Sequence, residues 1–183
     1  MEQIVTGRRY LSQNFYRFLV TIKFEYKMLF ESLRKIDTAQ FNSVKIITQG
    51  YDYAIPSYKK RFGIRMFMNN GQWLKEPLMM NGINDPYLQQ CVMKTIIFEV
   101  NEMLIELGKE YRNVYHVDAR GITAYYEKVN GKKPGSCWYD ELHPKSEIFK
   151  VISDVYTSII ENKTPPDQRV ISVVGSYSKK NIE

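Results

Sequence analysis

Val44-Lys45-Ile46-Ile47-Thr48 and Val114-Tyr115-His116-Val117-Asp118 are the two stretches on which the fold turns. The first is a short β-branched run stopped by Gly50, the pattern of a buried strand. The second is another short strand, closed by Arg120-Gly121. Between them, Asp85-Pro86 opens a helix, with Asp as N-cap and Pro at the first helical position, where the missing N–H costs nothing. Leu88, Val92, Ile96, Ile97, Val100, Met103, Leu104 and Leu107 form its buried stripe, and Gly108 to Asn113 releases it. Two strands joined through a helix are what a right-handed crossover between parallel strands requires. The class is α/β with a parallel sheet.

Upstream, Leu11, Phe15, Phe18, Leu19, Ile22, Tyr26, Leu29, Phe30 and Leu33 recur in steps of three and four, which predicts a long amphipathic helix with one core-facing stripe. Asp37 to Ser43 breaks that pattern. Tyr51 to Asn84, punctuated by Gly63, Gly71, Gly82, Pro56 and Pro77, reads as a long ordered loop with a short helix in it. Downstream, an irregular segment with Gly131, Pro134 and Gly135 leads to Trp138-Tyr139-Asp140-Glu141-Leu142-His143-Pro144. A final helix follows with Ile148, Ile152, Val155, Tyr156 and Ile159 on one face, ending before Thr164-Pro165-Pro166. The chain therefore divides into a main body, 1–163, and a segment, 164–183, whose β-prone Arg169 to Tyr177 reads as an extra edge strand, an arm swapped onto a neighbour, or a tail. Two clear strands are few for a doubly wound domain, which has about five or six. The sheet looks incomplete, as if the chain were the second half of something.

Of the 183 residues, 44% are hydrophobic and 25% charged, which disfavours collagenous, coiled-coil and disordered classes. Lys+Arg 26 against Asp+Glu 20 gives a net charge of +6, with short clusters at Lys59-Lys60-Arg61, Lys132-Lys133 and Lys179-Lys180. That excess permits an anionic partner, but scattered bases and aromatics at helical spacing argue against nucleic acid. Cys91 and Cys137 form no disulfide framework and no metal-spaced cluster, so a reducing compartment, cytoplasmic by default, is expected. No secretory signal is visible in the chain as given. Arg17, Lys23, Glu25 and Lys27 interrupt the most apolar helix, so no membrane span is expected.

Two histidines occur. His116 lies mid-strand and reads as a packed, hydrogen-bonded residue or one on the opposite sheet face. His143 lies in a loop, three residues after Asp140 and just before a Pro and a helix. An Asp at that spacing can accept the imidazole Nδ1–H, set the tautomer and leave Nε2 as a general base. The plainer alternative is an Asp capping a local turn beside a surface His. Tyr51, Asp52 and Tyr53 follow a strand's carboxyl end, where α/β folds place ligands, and read either as a pocket wall or as a buried tyrosine turn. Trp138 and Tyr139 read as pocket lining or as loop anchors.

Taken in order, Ile46-Ile47-Thr48-Gln49-Gly50-Tyr51-Asp52-Tyr53-Ala54-Ile55-Pro56, Trp73, Pro77, Val117-Asp118-Ala119-Arg120-Gly121 and Trp138 to Pro144 resemble the C-terminal part of SGNH-type (GDSL-like) hydrolases. The resemblance spans roughly Tyr10 to Asn162. It implies a three-layer α/β/α, flavodoxin-like fold and an ester or acyl hydrolase without metal or organic cofactor, acting on a small-molecule ester. In such enzymes a Ser-His-Asp triad does the chemistry, so His143 would be the general base and Asp140 its orienter, with Tyr51, Asp52, Tyr53 and Trp138 near the substrate. The family's Gly-Asp-Ser nucleophile segment is absent from this chain. Gly82-Ile83-Asn84-Asp85 spells the family's Gly-x-Asn-Asp oxyanion motif but stands out of order, where Asp85-Pro86 reads as a helix cap. The resemblance thus suggests a fragment or shortened relative, inactive in isolation. The competing expectation is a non-catalytic α/β binding or oligomerisation module whose open sheet edge favours homo-oligomers.

Overall fold

Three short strands, β1 (Ile46–Gln49), β2 (Val114–Asp118) and β3 (Val170–Ser172), pair in parallel in the order β1-β2-β3 in the computed structural model, which describes residues 1–36, 44–56 and 73–180. Ile46 stands opposite Val114 and Gln49 opposite Val117, while His116 is opposite Val170 on the other flank of β2. Seven helices accompany the sheet among the described residues: α1 (Glu2–Arg8), α2 (Gln13–Ile36), α3 (Lys75–Met80), α4 (Pro86–Glu110), α5 (Ile122–Val129), α6 (Ser146–Ile160) and α7 (Val173–Lys180). The chain is thus a mixed α/β protein. The expected break at Asp37 to Ser43, the Gly63 and Gly71 part of the long loop, and the Lys59-Lys60-Arg61 cluster lie outside the described residues.

β2 is buried because helices cover both of its faces. Val114 packs with Phe30 of α2 and with Met103, Leu104, Leu107 and Tyr111 in and just after α4. One residue on, Tyr115 and Val117 join the opposite cluster, with Ile122 of α5, Ile148, Ile152, Val155 and Ile159 of α6, and Ile171 of β3. A strand enclosed in this way gains from apolar residues at every position, which is why it reads as a run and not as an alternation. α4 is capped as its sequence foretells, the Asp85 carboxylate accepting the Leu88 N–H at 2.7 Å with Pro86 next in line.

Five features depart from the sequence reading. α4 is buried beyond its apolar stripe: Gln89, Thr95 and Asn101 are all at most 1% exposed. α1 explains part of this, since Thr95 Oγ1 donates to the Ile4 carbonyl at 3.1 Å. A helix of seven residues is too short to announce itself by periodicity, and α1 was not expected. On α2, the expected core stripe is only partly inside: Phe30 and Leu19 are buried, but Phe18 and Leu29 are exposed, as are Val20, Phe24 and Met28. The segment after Arg120-Gly121, expected to be irregular, contains α5. Finally, the β-prone 169–177 run forms strand only at Val170–Ser172; Ser172 Oγ then accepts the Gly175 N–H at 3.2 Å and helix α7 begins.

Ion pairs from Lys23 to Glu106 and from Lys27 to Glu110, both 2.6 Å, step four residues along α2 and four along α4, so the two helices run side by side in the same direction. Being largely exposed, such pairs orient more than they stabilise. No helix among the described residues is long and apolar enough to cross a membrane.

Candidate active site

The loop 138–144 is a closed structure. Trp138 and Pro144 form an antiparallel bridge, the Tyr139 N–H donates to the His143 carbonyl at 2.7 Å, and the Lys145 N–H donates to the Cys137 carbonyl at 2.8 Å. From below, the Glu127 carboxylate of α5 holds the approach to the loop by accepting the Gly135 and Cys137 N–H groups at 2.9 and 2.7 Å. The Tyr51 hydroxyl donates to the Leu142 carbonyl, which ties the loop to the residues just after β1.

Inside the loop, Asp140 Oδ1 accepts the N–H groups of Leu142 and His143, both at 2.8 Å. The His143 ring lies alongside, with Nδ1 2.9 Å from each carboxylate oxygen. Asp140 is 8% exposed, and burial by itself would raise its carboxyl. The hydrogen bonds from the His143 ring and the two backbone N–H groups outweigh burial and hold it below the ordinary aspartate value. Asp140 is therefore an acceptor at neutral pH, so Nδ1 must be the donor, and a neutral His143 then carries its lone pair on Nε2. The His143 side chain is 51% exposed, and among the described residues none hydrogen-bonds that nitrogen. Asp140 thus caps a local turn, as the plainer alternative has it, and the same carboxylate also meets the imidazole.

The neighbouring candidates separate into two groups. Tyr51 is part of the loop's support, and burial, then the nearby Asp140 and Asp52 carboxylates, push its phenol above the usual value. Asp52 is 5% exposed and staples β1 to the turn after β2: its carboxylate accepts the N–H groups of Tyr53 at 2.7 Å, Gly121 at 2.5 Å and Thr123 at 2.8 Å. Burial raises the Asp52 carboxyl above its ordinary value, although these three donors work against it. Gly121 has φ of 79°, a conformation that suits glycine and turns its N–H toward Asp52. Asp52, Tyr53 and Trp138, together with Lys94, Thr123 and Glu127, line a cavity of about 270 Å³. Trp138 is 5% exposed and packs with Ala54 and Ile97, so it anchors the loop and walls the cavity at once. Tyr51 and His143 do not line that cavity.

His116 is fully buried, with Nδ1 3.1 Å from Thr48 Oγ1 and Nε2 without a partner among the described residues. Burial pushes its pKa down to about 4, which keeps the ring neutral inside the sheet. Asn84 is exposed in the turn before α4 and makes no hydrogen bond to the 138–144 loop.

Three side chains that the sequence reading passed over shape the site. Glu127 and Glu141 are 4% and 2% exposed carboxylates committed to backbone N–H groups. Asn101 reaches from α4 to the Tyr51 carbonyl at 3.3 Å, and a Cβ on Gly50 would collide with its amide. No local signal marks these contacts, because the partners are far apart in sequence; only the burial of acids and an amide inside otherwise polar stretches would have hinted at them. No group of three or more His, Cys, Asp or Glu able to hold a metal ion occurs among the described residues.

No protein-family model matches the chain, and no curated protein or solved structure matches it either.

Proposed function

We propose that the chain carries the general-base side of an ester or acyl hydrolase of SGNH type, with His143 as base and Asp140 as its orienter. The observation that carries this is the Asp140–His143 pair itself, a buried carboxylate bound to Nδ1 and an imidazole whose other edge is open. Its location adds support. Tyr51 and Asp52 follow β1, Asp118 to Gly121 end β2, and both ends are tied to the loop or to each other, so the pair lies at the carboxyl ends of parallel strands, where α/β proteins put their ligands. Helices against both faces of the sheet are in keeping with a three-layer, flavodoxin-like arrangement.

In this reading Nε2 takes the proton of a serine hydroxyl as its oxygen bonds to the ester carbonyl carbon. The proton then passes to the departing alkoxide as the C–O bond breaks, and water repeats the cycle to release the acid. His143 returns to its starting state, and Asp140 stabilises the imidazolium without taking the proton. The sequence contains no Gly-Asp-Ser, so the nucleophile is the part this reading requires from outside residues 1–183. Reaction of the native gene product with a fluorophosphonate, which modifies the serine of such hydrolases, tests it. Labelling together with ester turnover is expected, both falling by about a hundredfold or more with His143→Ala. Turnover that survives that substitution, or no reaction with the reagent at all, sinks the reading.

A second reading, an assembly module without catalysis, is favoured by the exposed Phe18, Val20, Phe24, Met28 and Leu29 on α2. Sedimentation of the 183-residue chain distinguishes it: self-association that is abolished by Phe18→Ser with Phe24→Ser supports assembly, and a monomer at all concentrations removes it.

A further inference from the structure

We infer that Glu141 and Trp73 form a positioning clamp on His143, in which Glu141 fixes the start of α3 against the 138–144 loop and thereby stands the Trp73 indole against the imidazole. The role in catalysis rests on the hydrolase reading above, whereas the clamp itself is a matter of geometry.

Glu141 lies between the two residues of the Asp140–His143 pair and faces the other way. It is 2% exposed, and its oxygens accept the N–H groups of Leu74 at 2.8 Å and Lys75 at 3.2 Å. Leu74 is the N-cap of α3 and has no side-chain oxygen to offer the first turn, whose N–H groups have no partners within the helix. Glu141 supplies what the local sequence lacks, from more than sixty residues away in the chain. A carboxylate is costly to bury unless such donors meet it, so the contact holds both partners firmly.

Trp73 is the residue immediately before Leu74. Its ring centroid is 5.5 Å from that of His143, with the planes at 79°. Asp140 holds the imidazole by its Nδ1 edge and Trp73 occupies a second side, which limits rotation of the ring away from the carboxylate. Glu141 and Trp73 are positioning residues in this scheme, acting through His143.

Tryptophan emission of the 183-residue chain reads the clamp, because a protonated imidazole quenches an adjacent indole. As the ring is protonated, emission is expected to fall in a single step. The step should vanish in His143→Gln and in Trp73→Phe. In Glu141→Gln it should shrink at least about threefold, since one of the two accepting oxygens becomes a donor facing an N–H. Circular dichroism checks that this variant folds, and nuclear Overhauser contacts between Trp73 and His143 read the same proximity in the unaltered chain. A step of undiminished size in a folded Glu141→Gln variant overturns the clamp, as does the absence of both step and Overhauser contact in the unaltered chain. If the clamp is seen and the native gene product hydrolyses no ester, the hydrolase reading fails alone.

Discussion

His143 Nδ1 lies 2.9 Å from both oxygens of Asp140, and one of those oxygens also accepts the backbone N–H groups of Leu142 and His143. One carboxylate thus shapes the loop and orients the ring that the loop presents. This double duty means that the two roles can be separated by substitution.

Asp140→Asn keeps an oxygen for the two backbone donors but turns an amide NH₂ toward the imidazole, which forces Nδ1 to accept. Stability should change by less than about 1 kcal/mol, while ester turnover of the native gene product falls about a hundredfold or more. Asp140→Ala, which leaves all three donors unmet, should cost about 2 kcal/mol in urea denaturation. Equal losses of stability in the two variants would contradict this division of roles.

Asp52 and Asp140 should bend the stability profile in opposite directions. The Asp52 carboxyl is raised by burial, so between the unfolded value and its folded value the native chain holds the extra proton, and this contribution is lost as pH rises through that window. Asp140 is depressed, so its contribution is present above the unfolded value and is lost as pH falls through the folded one. Urea midpoints measured across the acid range for Asp52→Asn should lose the falling limb and keep the rising one. The same substitution should lower stability by about 2 kcal/mol at neutral pH, because an amide cannot accept from three N–H groups on both of its ends.

His116 supplies a separate and larger acid sensitivity. Its folded pKa is about 4 against an ordinary 6.5, so the unfolded chain binds the proton first and stability drains away as pH falls through that interval, by up to about 3 kcal/mol. His116→Leu should flatten the profile between these values while leaving the Thr48 hydroxyl its bond to the Tyr115 carbonyl. A wild-type-like slope in that variant would assign the acid sensitivity elsewhere.

Gly50 has no room for a side chain beside Asn101, whose amide also holds the Tyr51 carbonyl at 3.3 Å. Gly50→Ala should cost about 2 kcal/mol by overpacking, and combining it with Asn101→Ala should return part of that loss. Strict additivity of the two changes would show that the clash is relieved without Asn101.

How much of this could be read in advance depended on whether the signal was local. Val114 to Asp118 showed itself as a buried strand, since enclosure by helices on both faces leaves an apolar run, and Asp85-Pro86 marked the start of α4 through a cap made three residues away. The Val44 to Thr48 run also yields a strand, at Ile46–Gln49, but only Thr48 in it is buried. Asp140 and His143 were legible for the same reason, both partners lying within one turn. The Glu141 contact to Leu74, the Glu127 contact to Cys137 and the Asp52 contact to Gly121 were not, because a carboxylate bound to backbone N–H groups leaves no pattern in the partner's side chains. The 169–177 run is an edge strand only in its first part, where Val170–Ser172 pairs with β2; a serine cap at Ser172 turns the rest into helix despite its β propensity.

The most direct test of the central claim, that Asp140 sets His143 as a base with a free Nε2, is nitrogen-15 NMR of the neutral histidine rings in the 183-residue chain. The expected result is a protonated, pyrrole-like Nδ1 and a bare, pyridine-like Nε2 at His143, exchanging roles in Asp140→Asn. A proton on Nε2 of the neutral ring in the unaltered chain would contradict the account, since His143 would then have no lone pair to offer a nucleophile.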